Sequence, residues 1–257
     1  MRHRLCCIFS ILVLSSHGAA IDNTDFSQPI QRGESFLTNL FDPQLQLLPE
    51  YPSSTTFWLF HDNYLAAHSL EKSHPDLARR IRSSLTQSGI TNSGKIEILF
   101  DEAHNPLPFR TYNLIDVAIV KGKTIRTEIL TTNVLQGWDA YADLLFLASL
   151  AQARSAPLDA RKNFTRANEM WDGEGFNDAA TKHNGVYSTY KLALCLIAAE
   201  RLKTSPPHRK QVLLRLLAMQ SSNGGWKTDY KNSKPVGLAN VETTCLCLLA
   251  LRILSTP

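Results

Sequence analysis

The sequence predicts a mainly α fold in which about four outer–inner helical hairpins close around a central axis, with a small antiparallel β insertion. Segments with one apolar face alternate along the chain with segments that are apolar on nearly all sides. The apolar segments begin near Phe57, Gly137, Val186 and Val241, so the unit recurs after about 80, 50 and 55 residues. Paired helices that cannot bury an apolar helix alone do so by stacking on their neighbours.

Each hairpin combines one outer and one inner helix, recognised by helical spacing of apolar residues, by Pro at a helix start and by turn residues between helices. The predicted outer helices are Gln31–Phe41, His74–Thr86, Pro157–Trp171 and Ser205–Gln220. The predicted inner helices are Ser53–Leu70, Gly137–Ala153, Val186–Leu202 and Val241–Leu254. Loops rich in glycine and polar residues join the last three hairpins.

A change in the residue pattern between about residues 94 and 130 predicts the β insertion. Lys95–Asp101 and Leu114–Leu130 alternate and are rich in Ile, Val and Thr, which favour strands. The second run turns at Lys121-Gly122-Lys123, so we expect two or three antiparallel strands here. Gly122-Lys123-Thr124 is a hairpin turn in this interpretation, because the upstream glycine and the helix of a phosphate-binding loop are missing.

The first 20 residues have the pattern of a secretory signal peptide. Arg2 and Arg4 precede an apolar stretch, and small residues end at Ala20. We therefore expect export and a single domain over residues 21–257. Removal of the two arginines lowers the formal net charge from +4 to +2, too little to indicate a nucleic-acid partner. No other apolar run reaches the length of about 20 residues that a membrane span requires.

Three cysteines remain after the signal peptide, Cys195, Cys245 and Cys247, all in apolar helical runs. The odd number excludes full pairing. A bridge from Cys195 to Cys245 or Cys247 is compatible with export, but buried free thiols are the favoured interpretation. Asn163-Phe164-Thr165 is a glycosylation sequon, typical of an exported surface.

Two stretches resemble known families. Gln220-Ser221-Ser222-Asn223-Gly224-Gly225-Trp226 is similar to the Gln-x3-Gly-x-Trp turn of terpenoid cyclases, and Met170–Phe176 is a degenerate copy. With the helix start at Gly237–Leu251, this turn resembles the α/α-toroid superfamily of terpenoid cyclases, protein prenyltransferase β-subunits and six-hairpin glycosidase-like proteins. Trp58–Ala66 is similar to a Trp-Leu-x-x-Asp-Asn-Tyr-Leu-Ala signature in uncharacterised exported proteins, for which no reaction is implied.

The chain departs from the enzymes of that superfamily in ways that matter for function. It lacks the Asp-x-Asp-Asp motif of a squalene-type cyclase, and it has neither a His-Glu-x-x-His motif nor an Asp, Cys and His set for zinc. No cofactor and no metal are therefore expected. The resemblance implies an α/α toroid, whereas a function carried over from the fold alone is weakly supported.

In a toroid the starts of the inner helices surround one mouth of the central cavity, and polar residues there are the natural site candidates. Asp62 interrupts an apolar helix, and Glu242 opens the last one. We take these two as the candidate catalytic carboxylates. The candidate substrate-binding residues are His61, Asn63, Trp138, Tyr141, Tyr190, Lys191, Asp229, Tyr230, Asn240 and Thr243.

Each candidate also has a structural interpretation. Asp62 needs a partner, water or a ligand, because an unpaired buried carboxylate is costly. Lys191 could form a salt bridge with Asp62 or Glu242. Asn240 is a good N-cap, and Glu242 in the first turn suits the helix dipole. Gln220 and Trp226 are expected to clamp an outer helix to the next turn.

Carboxylates, aromatic residues and amides around one opening favour a carbohydrate site. The first hypothesis is a secreted carbohydrate-active enzyme, a glycoside hydrolase or a polysaccharide lyase. The first alternative is a non-catalytic domain that binds a glycan, a lipid or a small ligand. The second alternative is an isoprenoid cyclase or transferase. The sequence leaves the substrate and the oligomeric state open.

Overall fold

The computed structural model describes residues 25–89, 93–103, 106–181 and 184–255. The predicted signal peptide, residues 1–20, lies outside these ranges. Within them, every helix is too short or too polar to cross a bilayer.

Eight α-helices occupy the described part of the chain. They are α1 (Ser27–Leu40), α2 (Leu65–Leu70), α3 (Pro75–Gln87), α4 (Ala142–Gln152), α5 (Pro157–Glu169), α6 (Thr189–Arg201), α7 (Arg209–Ala218) and α8 (Val241–Leu254). The even-numbered helices are mostly buried, and each packs against an odd-numbered helix with one apolar face. Helices α3 and α5 begin at Pro75 and Pro157, where the missing N–H of proline costs nothing. The predicted alternation of outer and inner helices is therefore present.

Six strands form two three-stranded sheets. The strands are β1 (Thr56–Trp58), β2 (Arg110–Val120), β3 (Lys123–Val134), β4 (Tyr187–Ser188), β5 (Lys227–Lys231) and β6 (Lys234–Ala239). The first sheet has the order β1-β3-β2, with β1 parallel and β2 antiparallel to β3. Its hairpin turns at Lys121 and Gly122, whose φ angles of 51° and 77° fit a type I′ turn. The predicted turn position is confirmed.

The predicted fold class is nevertheless wrong. The chain is mixed α/β, with two separate sheets among the described residues, and is not a mainly α toroid with one minor β insertion. The second sheet, in the order β4-β5-β6, lies outside the predicted insertion. Three segments account for the difference.

The first is the predicted inner helix Ser53–Leu70, which is helical only in its second half. Its start forms strand β1, where Thr56 pairs with Thr124 of β3. A π-helix, Leu59–Tyr64, then leads into α2. β-branched and aromatic residues at 55–58 favour a strand once a partner strand is available. The apolar run without periodicity did not distinguish the two structures.

The second segment is the polar loop predicted before α8, which forms the β5–β6 hairpin. Asn232 and Ser233 have φ angles of 50° and 60°, as a two-residue type I′ turn requires. Strand β5 also pairs with Tyr187 and Ser188 of β4, at the predicted start of an inner helix. Hydrogen bonds to a strand that is distant in sequence satisfy the backbone groups of this segment. A local sequence pattern does not reveal such a partner.

The third segment is Lys95–Asp101, predicted as a strand and observed as a 3-10 helix over Ile96–Phe100. The Ser93 hydroxyl accepts a hydrogen bond from the Ile96 N–H at 3.1 Å and donates one to Glu97 at 2.9 Å. This local capping favours a helical turn over a strand. Four consecutive residues, Ile96 to Leu99, are buried here, which the alternating pattern of a strand does not predict.

The buried helices pack in the order α4, α6, α8 and α2. Helix α4 also contacts the 3-10 helix Ile96–Phe100, and β3 contacts the π-helix that precedes α2. The β2–β3 hairpin and the 3-10 helix therefore lie against the helical layer. A cavity remains between them, and it contains the candidate site.

Candidate functional site

The cavity between the helices and the β2–β3 hairpin has a volume of about 380 Å³. This is within the range of about 300–1,000 Å³ that is common for small-molecule sites. Its wall combines acidic, aromatic and aliphatic side chains. The polar and aromatic lining residues are Glu50, Trp58, His61, Asp62, Lys95, Tyr112, Glu128, Asp143, Tyr190, Asn240 and Glu242.

Asp62 is the most buried carboxylate of this wall. The π-helix places it against the first turn of α8, where it accepts a hydrogen bond from the backbone N–H of Glu242. Only 2% of Asp62 is exposed, and its Oδ2 atom has no hydrogen-bond partner among the described residues. Burial raises the pKa of Asp62 well above its usual range, and the nearby carboxylates of Glu242 and Glu50 raise it further.

Glu242 is the second residue of α8, and Asn240 is the N-cap of that helix. The Asn240 side chain accepts a hydrogen bond from the Thr243 N–H at 2.9 Å, as the cap interpretation predicts. Burial raises the pKa of Glu242 to about 7, which Lys95 opposes and Glu128 and other carboxylates reinforce. Glu242 therefore carries a fractional charge near neutral pH.

Glu128 extends from β3 into the same cavity, where a cation and a histidine face it. Its Oε2 atom lies 3.5 Å from Lys95 Nζ and 3.3 Å from His61 Nε2. Burial raises the pKa of Glu128, whereas Lys95 lowers it. Burial also lowers the pKa of His61 to about 3, with help from Lys95, so this imidazole is neutral at physiological pH. Lys95 is thus the positive charge of the described wall, and Glu128 is its partner.

Asp143 enters the cavity from the first turn of α4. Its Oδ2 atom accepts a hydrogen bond from the Tyr190 hydroxyl at 3.1 Å. Its Oδ1 atom is buried and has no hydrogen-bond partner among the described residues. Burial raises the pKa of Tyr190, and the charge of Asp143 raises it further, so the phenol remains a donor.

Aromatic rings complete the wall next to the carboxylates. Trp58 packs against His61, with ring centroids 6.5 Å apart. Tyr112 is 42% exposed at the rim, and Lys95 Nζ lies 4.4 Å from its ring centroid. Leu114 stands beside Tyr112 on the same face of β2 and is also exposed. The rim thus offers apolar surface next to an acidic interior.

Five of the twelve candidate residues line the cavity: His61, Asp62, Tyr190, Asn240 and Glu242. Asn63, in contrast, is buried and bonds to the backbone of Leu48 and Trp58. Trp138 packs edge-on against Phe109, with ring centroids 5.4 Å apart. These contacts are structural.

Lys191 has neither of the partners that the sequence suggested. Its Nζ lies 2.5 Å from Asp178 Oδ2, and both side chains are buried away from the cavity wall. Asp178 also accepts a hydrogen bond from the Ala142 N–H at 2.9 Å, so the pair anchors the start of α4.

The remaining candidates also lie outside the cavity wall. Tyr141 precedes α4 at its N-cap position. Thr243 is buried and donates its N–H to the Asn240 cap. Asp229 and Tyr230 belong to β5, where Tyr230 stacks on Tyr187. Pairing of β5 with β4 holds this segment in the second sheet, outside the cavity wall.

Six polar or aromatic cavity residues were missed by the sequence reasoning: Glu50, Trp58, Lys95, Tyr112, Glu128 and Asp143. Glu128 and Lys95 lie in the segment that was interpreted as a plain β insertion. Asp143 sits one turn after Asp139 and in the first turn of a helix, where a cap or dipole role is the usual explanation. The alternation of β3 offered only a weak signal for Glu128: it shares a face with the half-buried Leu130, whereas its buried neighbour Thr127 lies on the opposite face.

The expected Gly-Gly-Trp clamp agrees with the contacts of this turn. Trp226 is fully buried and donates its indole N–H to the Leu216 carbonyl at 2.9 Å. The Gln220 amide donates to the carbonyls of Pro29 and Gly224, each at 2.8 Å. The turn thus ties α7 to the start of α1 and lies outside the cavity wall.

The thiols and the sequon are also outside the cavity wall. Cys195, Cys245 and Cys247 are buried and unbridged, as the favoured interpretation predicts. Asn163 lies in the middle of α5, and its amide donates to Gln152 at 2.8 Å. No group of three His, Cys, Asp or Glu side chains in the described ranges has the geometry to hold a metal ion.

No family model, curated protein or solved structure matches this chain. The resemblance to the toroid superfamily therefore remains an expectation from two short motifs.

Proposed function

We propose that this protein is a glycoside hydrolase that acts in the cavity, with Asp62 and Glu242 as the reacting carboxyl groups. The observation that carries the proposal is Asp62 Oδ2, a buried polar atom that has no partner among the described residues and lies in the wall of a cavity of suitable size. Its neighbour Glu242 has a different environment. Two carboxyl groups with separated pKa values are what acid–base cleavage of a glycosidic bond requires.

The environments assign the two roles. Asp62 is the more buried group, and burial raises its pKa well above the usual range, which favours the protonated form. Because the Glu242 N–H occupies one side of this carboxyl, Oδ2 is free to carry the proton. Asp62 donates that proton to the glycosidic oxygen as the bond from this oxygen to the anomeric carbon breaks. Ionised Glu242 accepts a proton from the attacking water, or attacks the anomeric carbon and is then released by water.

Charge favours hydrolysis over the lyase reaction. A polysaccharide lyase acts on uronates and must neutralise a substrate carboxylate before it removes the adjacent proton. Lys95 is the cation in the described cavity wall, and Glu128 already faces it at 3.5 Å. An anionic sugar would enter an acidic cavity without a counterion. The aromatic rim of Trp58 and Tyr112 suits the apolar face of a sugar ring.

Reducing-end release from a broad panel of oligosaccharides tests the proposal. Wild-type protein is expected to release reducing ends from at least one substrate, and Asp62→Asn and Glu242→Gln are expected to abolish release while folding normally. Asp159→Asn is the matched control, since Asp159 is an exposed aspartate in the first turn of α5. Absence of product across the panel, or full activity of Asp62→Asn, would overturn the proposal. Binding without product would identify the non-catalytic alternative.

We include export of the protein in this proposal, because polysaccharide substrates are commonly found outside the cell. The support is the signal-like pattern of residues 1–20. N-terminal sequencing of protein from the culture medium of an expressing cell tests it, with a start near Ile21 expected. Retention of the whole chain inside the cell would contradict export.

A further inference from the structure

We infer that the sugar unit bound in the cavity carries a free amino group, with Asp143 as the acceptor of its ammonium. This inference rests on the proposed function, since it names the substrate class of the same site. Its basis is the charge of the cavity wall and one buried carboxylate oxygen that has no partner among the described residues.

The wall has a large excess of acidic groups. Five carboxyl groups line it, from Glu50, Asp62, Glu128, Asp143 and Glu242, against the single ammonium of Lys95 among the described lining residues. Lys95 faces Glu128, so that pair is neutral overall. Even when Asp62 is protonated for catalysis, Glu50 and Asp143 leave the cavity negative. A low-dielectric cleft with one sign of charge concentrates ligands of the opposite sign.

Asp143 has one carboxylate oxygen that accepts a hydrogen bond and one that accepts none among the described residues. Tyr190 satisfies Oδ2 with a hydrogen bond of 3.1 Å, and it also holds the carboxylate in one orientation. Oδ1 is buried without a partner in the described chain. A carboxylate oxygen in this state is costly unless a ligand donates to it. An ammonium provides three N–H donors and the opposite charge, whereas a hydroxyl provides one donor and no charge.

The chemistry separates four sugar classes. A glucosamine-type unit places an ammonium against Asp143. An N-acetylated unit has a neutral amide and a bulkier group at the same position. A neutral unit has only a hydroxyl there. A uronate adds a negative charge and is repelled by the carboxylates of the wall.

Titration calorimetry with four oligosaccharides of equal length tests the inference: glucosamine, N-acetylglucosamine, glucose and uronate oligomers. The protein is the Asp62→Asn variant, so that turnover does not consume the ligand, at about pH 6, where an aliphatic amine is protonated. We expect the glucosamine oligomer to bind at least about tenfold more tightly than the others, as a charge-assisted hydrogen bond is worth about 1.5–3 kcal/mol.

Adding Asp143→Asn to that variant is expected to remove this preference, with a much larger loss of affinity for the glucosamine oligomer than for the neutral ones. Adding Asp159→Asn instead is expected to change neither. Equal binding of glucosamine and glucose oligomers, a preference that survives Asp143→Asn, or a failure to bind any oligomer would overturn the inference. A thermal unfolding scan of each variant identifies one that has failed to fold, and Asp143→Glu, which retains the charge, then replaces it.

The proposed function and this inference fail in different ways. Selective binding of the glucosamine oligomer without cleavage by wild-type protein supports the inference and rejects the hydrolase. Cleavage of neutral or anionic oligosaccharides without preference for the amine supports the hydrolase and rejects the inference. Cleavage of the glucosamine oligomer with loss of preference in Asp143→Asn supports both.

Discussion

Asp62 of the π-helix accepts a hydrogen bond from the backbone N–H of Glu242, so two carboxyl groups meet at the first turn of α8. Burial raises the pKa of both groups, and the charge of Glu242 raises the pKa of Asp62 further. A helix N-terminus normally stabilises a carboxylate. Here burial outweighs that benefit and raises the pKa of Asp62, while its Oδ2 has no hydrogen-bond partner among the described residues.

The first prediction is that Asp62→Asn preserves or increases stability at neutral pH. Asparagine keeps the acceptor for the Glu242 N–H and has no proton to bind on folding. Because the folded-state pKa of Asp62 is raised, wild-type stability falls as pH rises above the ordinary value of 3.8, whereas the variant lacks this loss. The difference in Tm between variant and wild type is therefore expected to increase from about pH 4 to pH 7.

Differential scanning fluorimetry across that range measures the effect. Asp159→Asn, an exposed substitution, is expected to track wild type throughout. A drop of many degrees in Asp62→Asn at every pH would show that Asp62 is an essential structural carboxylate.

The second prediction concerns the pH dependence of Glu242 itself. Its folded-state pKa is about 7 and its ordinary value is 4.5, so the folded state binds more protons between these values. Its contribution to stability is complete below about pH 4.5 and is lost as pH rises to about 7. Glu242→Gln is expected to flatten this part of the curve of unfolding free energy against pH. Glu169→Gln, an exposed change in α5, serves as control, and an unchanged slope in Glu242→Gln would contradict the prediction.

The third prediction is that Lys191→Met destabilises the protein by about 3–5 kcal/mol, because Asp178 is then left as an unpaired buried charge. Denaturant unfolding measures the loss, and Lys210→Met, an exposed change, is expected to cost less than about 0.5 kcal/mol. The double variant Lys191→Met/Asp178→Asn is expected to recover part of the loss, since no charge remains. A loss below about 1 kcal/mol would show that the pair is not formed in solution.

The fourth prediction is that Gly224→Ala destabilises the Gly-Gly-Trp clamp. Gly224 has a φ of 94°, and an added Cβ would lie 2.2 Å from the Arg32 carbonyl oxygen. We expect the free energy of unfolding to fall by more than ~1 kcal/mol, which is the cost of the left-handed conformation alone for a residue with a side chain. Gly173→Ala is the matched control, because Gly173 has a φ of 98° and open space around it. Equal losses in the two variants would contradict the close contact.

The fifth prediction is that Cys195, Cys245 and Cys247 do not react with a thiol reagent in the folded protein. All three are buried, and burial raises the pKa of each thiol, so little nucleophilic thiolate forms. Labelling followed by peptide mass spectrometry is expected to find them unmodified in buffer and fully modified in guanidinium. Rapid labelling of any of the three in buffer would contradict the packing of α6 or α8.

Local sequence pattern determined the parts of this protein that depend on neighbours along the chain. Apolar periodicity located all four outer helices and the last three inner ones, and a Lys-Gly turn located the β2–β3 hairpin. A lone carboxylate in an apolar run identified Asp62, because burial of such a group requires a partner or a ligand.

Tertiary structure decided the rest. Pairing of β5 with β4 turned a predicted loop into a sheet, and the loop after α5 gave Lys191 the partner Asp178 in place of Asp62. Packing of the helices against the β2–β3 hairpin brought Glu50, Glu128 and Asp143 to one cavity, although they span positions 50 to 143 of the chain. Spacing along the chain reports the period of a helix or a strand, but not which distant side chain will lie opposite. That choice depends on how the helices and sheets pack, and so the acidic cavity emerges only in the folded protein.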